Sequence, residues 1–292
     1  MNIVIPTTTG FVKRVDQNKY LINNVIKFIL LEKYKQAVMP HLSTIAPLYP
    51  SIFRAIPNLV AIQTTRSGGV SGEPLDSLNL GSHVGDDPAH VLENYRRLGA
   101  FLGIDAESIV TTGQVHGTEI AVVTAPGRLD GYDALITGER GLFVGILTAD
   151  CYPILIHDRR TGASGAAHAG WQGTAGRIAE KTVNVMRDTF GTRPEDCLAW
   201  VGTGISGERY EIGGEVAARF DKRYLKPSPS GEGRQLLDLS AANRDQLLEA
   251  GIPSTQVQCS EFCSYRDADR FYSYRRDNGK TGRMLALIGV RA

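Results

Sequence analysis

Apolar and polar residues alternate with two different periods along residues 56–292, which predicts a mixture of strands and helices. Residues 59–65 alternate as a half-buried strand, and the apolar run at residues 142–149 is typical of a buried one. The helical period appears after Trp171 and continues to Phe190. Strands and helices follow one another irregularly. We therefore expect an α/β (α+β) fold, a single layered domain with mixed β-sheets flanked by helices, rather than a parallel doubly wound sheet.

Local signals predict the remaining elements. Asp86-Asp87-Pro88 is typical of a helix start with proline in the first turn, and that helix is expected to end at Gly103. Ser240 is the expected N-cap of a helix that stops at Gly251. The other predicted elements are a helix at residues 215–224, strands at residues 108–112, 119–124, 133–137, 154–157 and 198–201, and a closing hairpin of residues 271–274 and 284–290.

Residues that can bind a metal lie where predicted strands end. The run at 142–149 leads to Cys151, and residues 158–165 supply a turn that brings the chain back to His168. Cys151 and His168 are therefore expected to be neighbours in space. His116 lies in a loop where another β-prone run breaks at glycine. Two imidazoles and one thiolate on such loops would form a three-ligand zinc site with an open fourth position, as in catalytic zinc sites.

The spacing of these residues leaves a second interpretation open. His116, Cys151 and His168 are separated by 35 and 17 residues, and no periodic rule requires that they meet. A small buried cysteine and two hydrogen-bonded histidines would give the same pattern. Asp150, next to Cys151, is expected either to orient a ligand or shuttle a proton, or to be an ordinary turn residue at a strand end.

Short motifs surround the three candidate ligands and recur elsewhere in the chain. The motifs are Gln114-Val115-His116-Gly117, Thr148-Ala149-Asp150-Cys151 with Pro153, His168-Ala169-Gly170-Trp171, Thr65-Arg66-Ser67-Gly68-Gly69-Val70-Ser71, Ser77-Leu78-Asn79-Leu80-Gly81-Ser82-His83, and Phe271-Tyr272-Ser273-Tyr274-Arg275-Arg276-Asp277 with Thr281-Gly282-Arg283. Together they resemble the laccase-domain (YfiH-like) family. The matched segments cover about residues 56 to 290 and occur in the family's order.

The resemblance carries implications for fold, activity and cofactor. It implies a layered α/β/β/α arrangement and a multifunctional purine nucleoside phosphorylase, formerly described as polyphenol oxidase, with adenosine deaminase activity. The implied substrates are phosphate and a purine nucleoside (adenosine, inosine or methylthioadenosine). Zinc is the expected cofactor, with copper as an adventitious occupant of the same pocket.

Other residues of the motifs are the expected catalytic and substrate contacts. For phosphorolysis, His83 or Arg66 could supply a positive charge or a proton. The phosphate itself could be held by the open zinc position or by the N–H groups around Gly173, at the start of the helix after Trp171. Trp171 and Tyr272 are expected either to stack on a purine or to pack in the core.

Two positions depart from the family pattern. Many members read His-Ala-Gly-Trp-Arg-Gly, whereas this chain has Gln172 in place of the arginine. Tyr95 likewise follows Asn94 where the family usually has an arginine. Both changes remove a positive charge near the expected pocket. We still expect Gln172 to contact the substrate. Asn79, in another of the motifs, is also an expected substrate-binding residue.

Composition excludes several classes of protein. A net charge of +1 gives no general attraction to nucleic acid or anionic membranes. Four cysteines without regular spacing favour a reducing cytoplasm over a disulfide framework. Six histidines are too few for a multicopper centre, which uses about ten imidazoles. The H-x-E and P-C-x-x-C segments of cytidine-type deaminases are absent.

Residues 1–38 differ from the rest of the sequence. They carry six basic and two acidic residues, and the apolar stretch at residues 25–31 is interrupted by Lys27 and too short to span a bilayer. The resemblance does not reach them. We expect a basic extension, either the result of a start assigned upstream of Met39 or a basic amphipathic docking helix. Residues 39–292 are expected to form a single catalytic domain.

Three functions remain to be separated. The favoured one is the zinc-dependent phosphorylase and deaminase, acting as a monomer or small homo-oligomer with no nucleic-acid or membrane partner. A Cys-His thiol hydrolase without metal would use Cys151 as nucleophile and His168 as base. A non-enzymatic metal-binding partner protein would need only the ligands.

Overall fold

Apolar runs of the chain form two large mixed sheets and one small sheet in a computed structural model, which describes residues 45–231 and 233–292. The strands are β1 (Leu59–Gln63), β2 (Ile109–Gly113), β3 (Ile120–Val122), β4 (Arg128–Asp130), β5 (Ala134–Thr137), β6 (Phe143–Thr148), β7 (Tyr152–Asp158), β8 (Ser164–Ala169), β9 (Cys197–Val201), β10 (Glu211–Ile212), β11 (Leu225–Pro227), β12 (Gln235–Leu237), β13 (Val257–Cys259) and β14 (Met284–Val290). The predicted mixed α/β fold is confirmed.

Strand order shows why neither large sheet is purely parallel. The first has the order β1-β14-β6-β2-β4, in which β1, β14 and β6 pair antiparallel and β2 pairs parallel with both of its neighbours. The second has the order β13-β9-β7-β8-β5-β3, with the β7–β8 hairpin at its centre. The small sheet has the order β10-β12-β11.

Among the helices of the described residues, the first and the last begin at an aspartate whose side chain caps them. The helix α1 (Pro88–Leu102) begins after Asp87, whose side chain accepts from the N–H of Ala89, and it ends at Gly103 in the left-handed conformation. The remaining helices are α2 (Trp171–Ala175), α3 (Ile178–Phe190), α4 (Gly214–Ala217) and α5 (Leu239–Glu249). None of the helices in these described residues is long and apolar enough to cross a membrane.

Two apolar cores join three layers: the first large sheet, the second large sheet, and the helices α3 and α5. One core lies between the two large sheets, where Leu155 of β7 packs with Val144 of β6 and Ile288 of β14. The second core lies on the other face of the β7–β8 sheet, where Ile154 packs with residues of α3 and α5 such as Met186. Strands buried on both faces explain why the pattern at 142–149 is continuously apolar rather than alternating.

Several predicted elements differ from the observed ones. The helix predicted after Trp171 is two helices, because Arg177 lies in the left-handed conformation between α2 and α3. In place of the helix predicted at residues 215–224, the structure has the short helix α4 and a 3₁₀ turn at Lys222–Tyr224. Asp238 rather than Ser240 caps α5. Strand β4 was absent from the sequence prediction.

The predicted closing hairpin is also wrong. Phe271 and Tyr272 are fully buried but lie in irregular chain before a turn, and β14 pairs instead with β1 and β6. The described residues, 45–231 and 233–292, belong to one compact unit. The basic extension predicted at residues 1–38 lies outside the described residues, and a single catalytic domain at 39–292 stays a prediction.

Candidate metal centre

Three strand ends bring His116, Cys151 and His168 together, as the motifs predicted. Their ligand atoms all lie within 4.8 Å of one another. His116 follows β2 and is exposed, Cys151 lies between β6 and β7 and is half-buried, and His168 is on β8 and is buried. The site therefore has one ligand rooted in the core and one open to solvent.

Register of the β7–β8 hairpin explains the approach of Cys151 to His168. Pro153 pairs with His168 and Tyr152 pairs with Ala169, so Cys151 leaves β7 directly beside the end of β8. Cross-strand neighbours in such a pair are about 5 Å apart. The sequence-based expectation that these two residues are neighbours is met.

Gly170 is needed where the ligands converge. A Cβ atom at this position would lie 3.0 Å from the Cys151 Sγ and 3.0 Å from the His116 Nδ1. Real Cβ atoms rarely come so close to other atoms. Any side chain at residue 170 would therefore push apart the thiol and the imidazole.

Asp133 organises both histidines and was missed by the sequence analysis. It is fully buried just before β5, and its Oδ1 lies 2.8 Å from the His168 Nδ1. The same carboxylate accepts backbone N–H bonds from Val115, His116 and Gly117 at 3.2, 3.0 and 2.7 Å. These bonds hold His116 in the left-handed conformation, with φ of 60°.

A second anchor ties the loop of His116 to the strand that leads to Cys151. The Gln114 side chain donates to the carbonyl of Leu147 and accepts from its N–H, both at 2.9 Å. Leu147 lies near the end of β6, four residues before Cys151. Two of the candidate ligands are therefore connected through this pair of hydrogen bonds.

Electrostatics of the cluster favour a thiolate. Burial raises the pKa of the Cys151 thiol, but the positive charge of His168 and hydrogen bonds from both histidines outweigh it and lower the pKa to about 6. Burial lowers the pKa of His168, whereas Cys151 and Asp133 raise it to about 9. A thiolate is the form of cysteine that binds metals or acts as a nucleophile.

The donor set suits a borderline-soft divalent metal. Thiolate and imidazole are the usual zinc ligands, and the ligand atoms of a tetrahedral zinc ion lie roughly 3.5 Å apart. A separation within 4.8 Å is compatible with that arrangement. The Asp133 bond to the Nδ1 of His168 leaves Nε2 as the nitrogen available to a metal.

A cavity of about 820 Å³ opens directly onto the three ligands. Its volume lies within the range of small-molecule sites. Aromatic side chains and arginines supply much of its wall: Trp171, Tyr210, Tyr274, Arg128, Arg275 and Arg283. Arg275 lies 5.2 Å from the ring centre of Tyr210, and Arg283 lies 5.7 Å from that of Tyr274.

Besides the three candidate ligands, four of the predicted substrate or catalytic residues line this cavity. They are His83, Asp150, Trp171 and Gln172. The pKa of His83 is lowered by burial and then by the positive charges of Arg283 and Arg128, so its neutral form is favoured. His83 is therefore better suited to exchange a proton or donate a hydrogen bond than to carry a positive charge.

Asp150 also lies at the cavity wall, but its carboxylate has other partners. It accepts from the Ser264 hydroxyl and from the N–H of Arg275, both at 2.7 Å, and it shows no hydrogen bond to either histidine within the described residues. Its φ of 92° is unusual for a residue other than glycine. The predicted task of orienting a ligand belongs geometrically to Asp133, and Asp150 connects the Cys151 turn to two other loops.

The structure turns Arg66 and Tyr272 away from the cavity. Arg66 pairs with Asp76 at 3.0 Å and stacks over the ring of Tyr272. Tyr272 is fully buried and donates its hydroxyl to the carbonyl of Leu75. Neither residue lines the cavity, so their predicted contacts with phosphate and purine are not supported.

Asn79 and Gly173 also lie outside the cavity lining. The buried Asn79 side chain bonds Gly81, Asp86 and the N–H of Arg283. A Cβ atom at Gly173 would lie 3.1 Å from the carbonyl of His168, which places this glycine in tight internal packing. Helix α2 is only five residues long, and the phosphate site predicted at its start has no support in this geometry.

The cavity contains residues that the sequence analysis did not select. Tyr274 and Arg283 lie within matched motifs, so their motif membership was an available signal. Arg128 lies on β4, and Tyr210 lies just before β10. Neither of these short strands was predicted, and no local pattern identifies their side chains as cavity residues.

Comparison with known proteins identifies the family. The family model described as multi-copper polyphenol oxidoreductase laccase matches residues 60–291, and the chain belongs to that family. Within the described residues, His116, Cys151 and His168 form the one group of three or more side chains that could hold a metal ion.

Individual relatives carry a more specific name. The chain is 50% identical over 228 residues to the purine nucleoside phosphorylase of Deinococcus radiodurans, covering 78% of this chain and 87% of that protein. The crystal structure of YlmD from Geobacillus stearothermophilus has a TM-score of 0.76 and 38% identity, covering 81% of this chain and 93% of that one. The Bacillus licheniformis hypothetical protein YfiH has a TM-score of 0.77 and 33% identity, covering 80% and 93%.

Proposed function

We propose that this chain is a zinc-dependent purine nucleoside phosphorylase that also deaminates adenosine. The observation that carries the proposal is the His116–Cys151–His168 cluster at the wall of an 820 Å³ cavity lined by aromatic side chains and arginines. The name of the Deinococcus radiodurans relative supports the choice of substrates. Adenosine, inosine and methylthioadenosine are the proposed nucleosides.

Phosphorolysis makes defined demands on the cavity. The bond between C1′ of the sugar and the base nitrogen breaks, a bond from C1′ to a phosphate oxygen forms, and the departing base takes up a proton. Aromatic side chains such as Trp171, Tyr210 and Tyr274 can stack on the base. His83 can exchange a proton, and the arginines can hold the phosphate dianion.

Deamination uses the same cavity with water in place of phosphate. Water adds to C6 of the purine, the C6–N bond breaks, and ammonia leaves. A bound Zn²⁺ would supply Lewis acidity beside the cavity for this chemistry. The chain's own part is to present thiolate and imidazole ligands, which Asp133 and Gln114 hold in position.

A nucleoside panel tests the proposal directly. The zinc-loaded full chain is incubated with adenosine, inosine or methylthioadenosine, with and without phosphate, and the products are separated by chromatography. With adenosine we expect adenine to rise with phosphate concentration and inosine to be insensitive to it. Formation of neither product by fully zinc-loaded protein would contradict the assignment.

A thiol hydrolase is the second candidate, and one observation favours it. Cys151, His168 and Asp133 lie in the order of a nucleophile, base and orienting acid, and the pKa of Cys151 is lowered to about 6. In such an enzyme the thiolate would attack an acyl carbon, and the bond to the leaving group would break as His168 protonates that group. Water would then hydrolyse the thioester, with His168 as base, to release the acid and restore the thiolate.

Metal content and alkylation separate the two candidates. If zinc occupies Cys151, iodoacetamide should modify this residue only after a chelator has removed the metal, as measured by mass spectrometry. Metal-free purified protein in which iodoacetamide alkylates Cys151 at once, and which hydrolyses an ester or amide, would favour the thiol hydrolase.

The cytoplasm is the proposed location of the protein. All four cysteines are free, which suits a reducing compartment.

A further inference from the structure

Positive side chains cluster on the cavity wall beside the metal ligands. Arg128, Arg275 and Arg283 face two aspartates, Asp130 and Asp150, in the lining. The Asp150 carboxylate is already bonded to Ser264 and to the N–H of Arg275. A divalent metal would be balanced by the Cys151 thiolate and the ionised Asp133, so the three arginines outnumber the two aspartates of the lining by one. The loaded cavity therefore favours an anionic ligand.

Arg283 is the most enclosed of these arginines. Burial lowers the pKa of its guanidinium, and the negative charges of Cys151 and Asp150 offset this only in part. Its Nη1 donates to the carbonyls of Thr281 and Gly282 at 2.9 and 3.0 Å. Among the described residues, neither its Nε nor its Nη2 has an acceptor, and no carboxylate pairs with it. A largely buried guanidinium with free donors is costly unless a ligand supplies the counter-charge.

The backbone around Arg283 is built to hold this side chain in place. One oxygen, the Asn79 Oδ1, accepts from the N–H groups of both Gly81 and Arg283, at 3.0 and 2.9 Å. A Cβ atom at Gly81 would lie 2.7 Å from the Cγ of Arg283, so the glycine makes room for the arginine stem. The predicted substrate contact Asn79 therefore acts on the cavity through Arg283.

Two more donors accompany Arg283 on this side. His83 lies two residues after Gly81 and is close enough to Arg283 and Arg128 for their charges to lower its pKa. Arg128 donates to the hydroxyl of Ser82 at 2.9 Å, which fixes it next to the same loop. Guanidinium groups and a neutral imidazole are suitable donors for the oxygens of a tetrahedral oxyanion.

We propose that Arg283, with Arg128 and His83 beside it, forms the subsite for inorganic phosphate. The proposal deepens the proposed function and depends on it for the identity of the reaction. Phosphate held there would provide the oxygen that bonds to C1′ as the base departs. The replacement of the family's arginine by Gln172 then costs little, because Arg283, Arg128 and His83 bind the phosphate.

Binding and turnover are measured separately to test this assignment. The zinc-loaded full chain is titrated with inorganic phosphate by calorimetry, and the KM for phosphate is measured with inosine. We expect Arg283→Gln to weaken phosphate binding and raise its KM by about tenfold or more. Arg283→Lys should retain part of the binding. The control is Arg187→Gln, an exposed arginine on α3 that should change neither value.

Further variants keep the test decisive if Arg283→Gln fails to fold or loses zinc. Arg128→Gln changes a half-exposed position and should weaken phosphate binding by about threefold, since one of several donors is lost. Gln172→Arg should leave the phosphate KM almost unchanged. A large improvement with Gln172→Arg, together with unchanged binding in Arg283→Gln and Arg128→Gln, would overturn the subsite.

The two proposals fail in distinguishable ways. Phosphate binding that depends on Arg283 without phosphorolysis of any nucleoside would refute the proposed function and leave the oxyanion subsite standing. Phosphorolysis with unchanged phosphate binding in every variant would refute the subsite and leave the function standing. Absence of both phosphate binding and phosphorolysis in the wild type would refute both.

Discussion

The carboxylate of Asp133 lies 2.8 Å from the Nδ1 of His168, and both residues are buried. The pairing follows from sheet register, because Ala134 pairs with Ala167 and places the preceding Asp133 beside His168. Burial raises the pKa of Asp133, but the bonds from His168 and the Gly117 N–H outweigh it and hold the pKa below its ordinary value. One ionised carboxylate thus orients two of the three candidate ligands.

Asp133→Asn should weaken zinc binding without removing any ligand. The amide cannot accept from all of its present donors, so both the orientation of His168 and the loop of His116 should loosen. Loss of such a supporting contact typically costs 10- to 100-fold in metal affinity, on the order of 1–3 kcal/mol. The zinc dissociation constant is measured by competition with a chromogenic chelator.

Asp158→Asn is the matched control for that experiment. Asp158 is also fully buried in the same sheet, where it accepts from Thr161 and Arg160 at the far end of β7. Both variants should lower the melting temperature, but the control should keep the wild-type zinc affinity. Equal zinc affinity in Asp133→Asn and wild type would show that Asp133 serves stability alone.

The three candidate ligands were predictable from sequence, whereas the residue that supports them was not. Cys151 and His168 are joined by one hairpin, and a turn between two β-prone segments is a local signal. Asp133 reaches His168 only because β5 pairs with β8 across 35 residues. The sequence shows an acid at the start of the predicted strand 133–137. Which residue lies opposite that acid depends on how the strands pair in the folded protein, and the sequence does not show this pairing.

Apolar spacing misled the prediction where tertiary packing replaced a helix. Val216, Phe220 and Tyr224 recur at helical intervals, and all three pack partly against the core around α3 and α5. The chain between them is nevertheless α4, a bend and a 3₁₀ turn. Similarly, β14 pairs with β1 more than 200 residues away, so no local pattern could assign its partner.

Cys151→Ala should empty the metal site. Wild-type protein is expected to carry about one zinc per chain, since three ligands and one open position complete a tetrahedral ion. Elemental analysis of the purified variant should give almost no zinc. Cys259→Ala, at a half-buried cysteine outside the cavity, is the control and should keep its zinc. Full zinc in Cys151→Ala would refute the ligand assignment.

Deletion of residues 1–38 should leave folding and activity nearly unchanged. The matched family region begins at residue 60, and the deletion spares Ile45, which is buried. A short basic segment has little apolar area to contribute to a core. Thermal unfolding of the full and shortened chains should agree within a few degrees. A larger decrease in the shortened chain would show that the segment stabilises the domain.

His157 should make the protein less stable in mild acid. Burial lowers the pKa of this side chain to about 4, and it is buried on β7 with its Nδ1 3.1 Å from the Ser164 hydroxyl. The unfolded chain takes up a proton near pH 6.5, whereas the folded chain does so only near pH 4. Between these values the unfolded state binds more protons, so stability falls as the pH falls.

The expected loss between about pH 7.5 and pH 5 is roughly 2 kcal/mol in the free energy of unfolding. His157→Asn keeps a polar group for Ser164 and cannot titrate, so this variant should lose correspondingly less stability over the same interval. Urea unfolding at both pH values measures each difference. An identical pH dependence in His157→Asn and wild type would show that His157 does not cause the acid sensitivity.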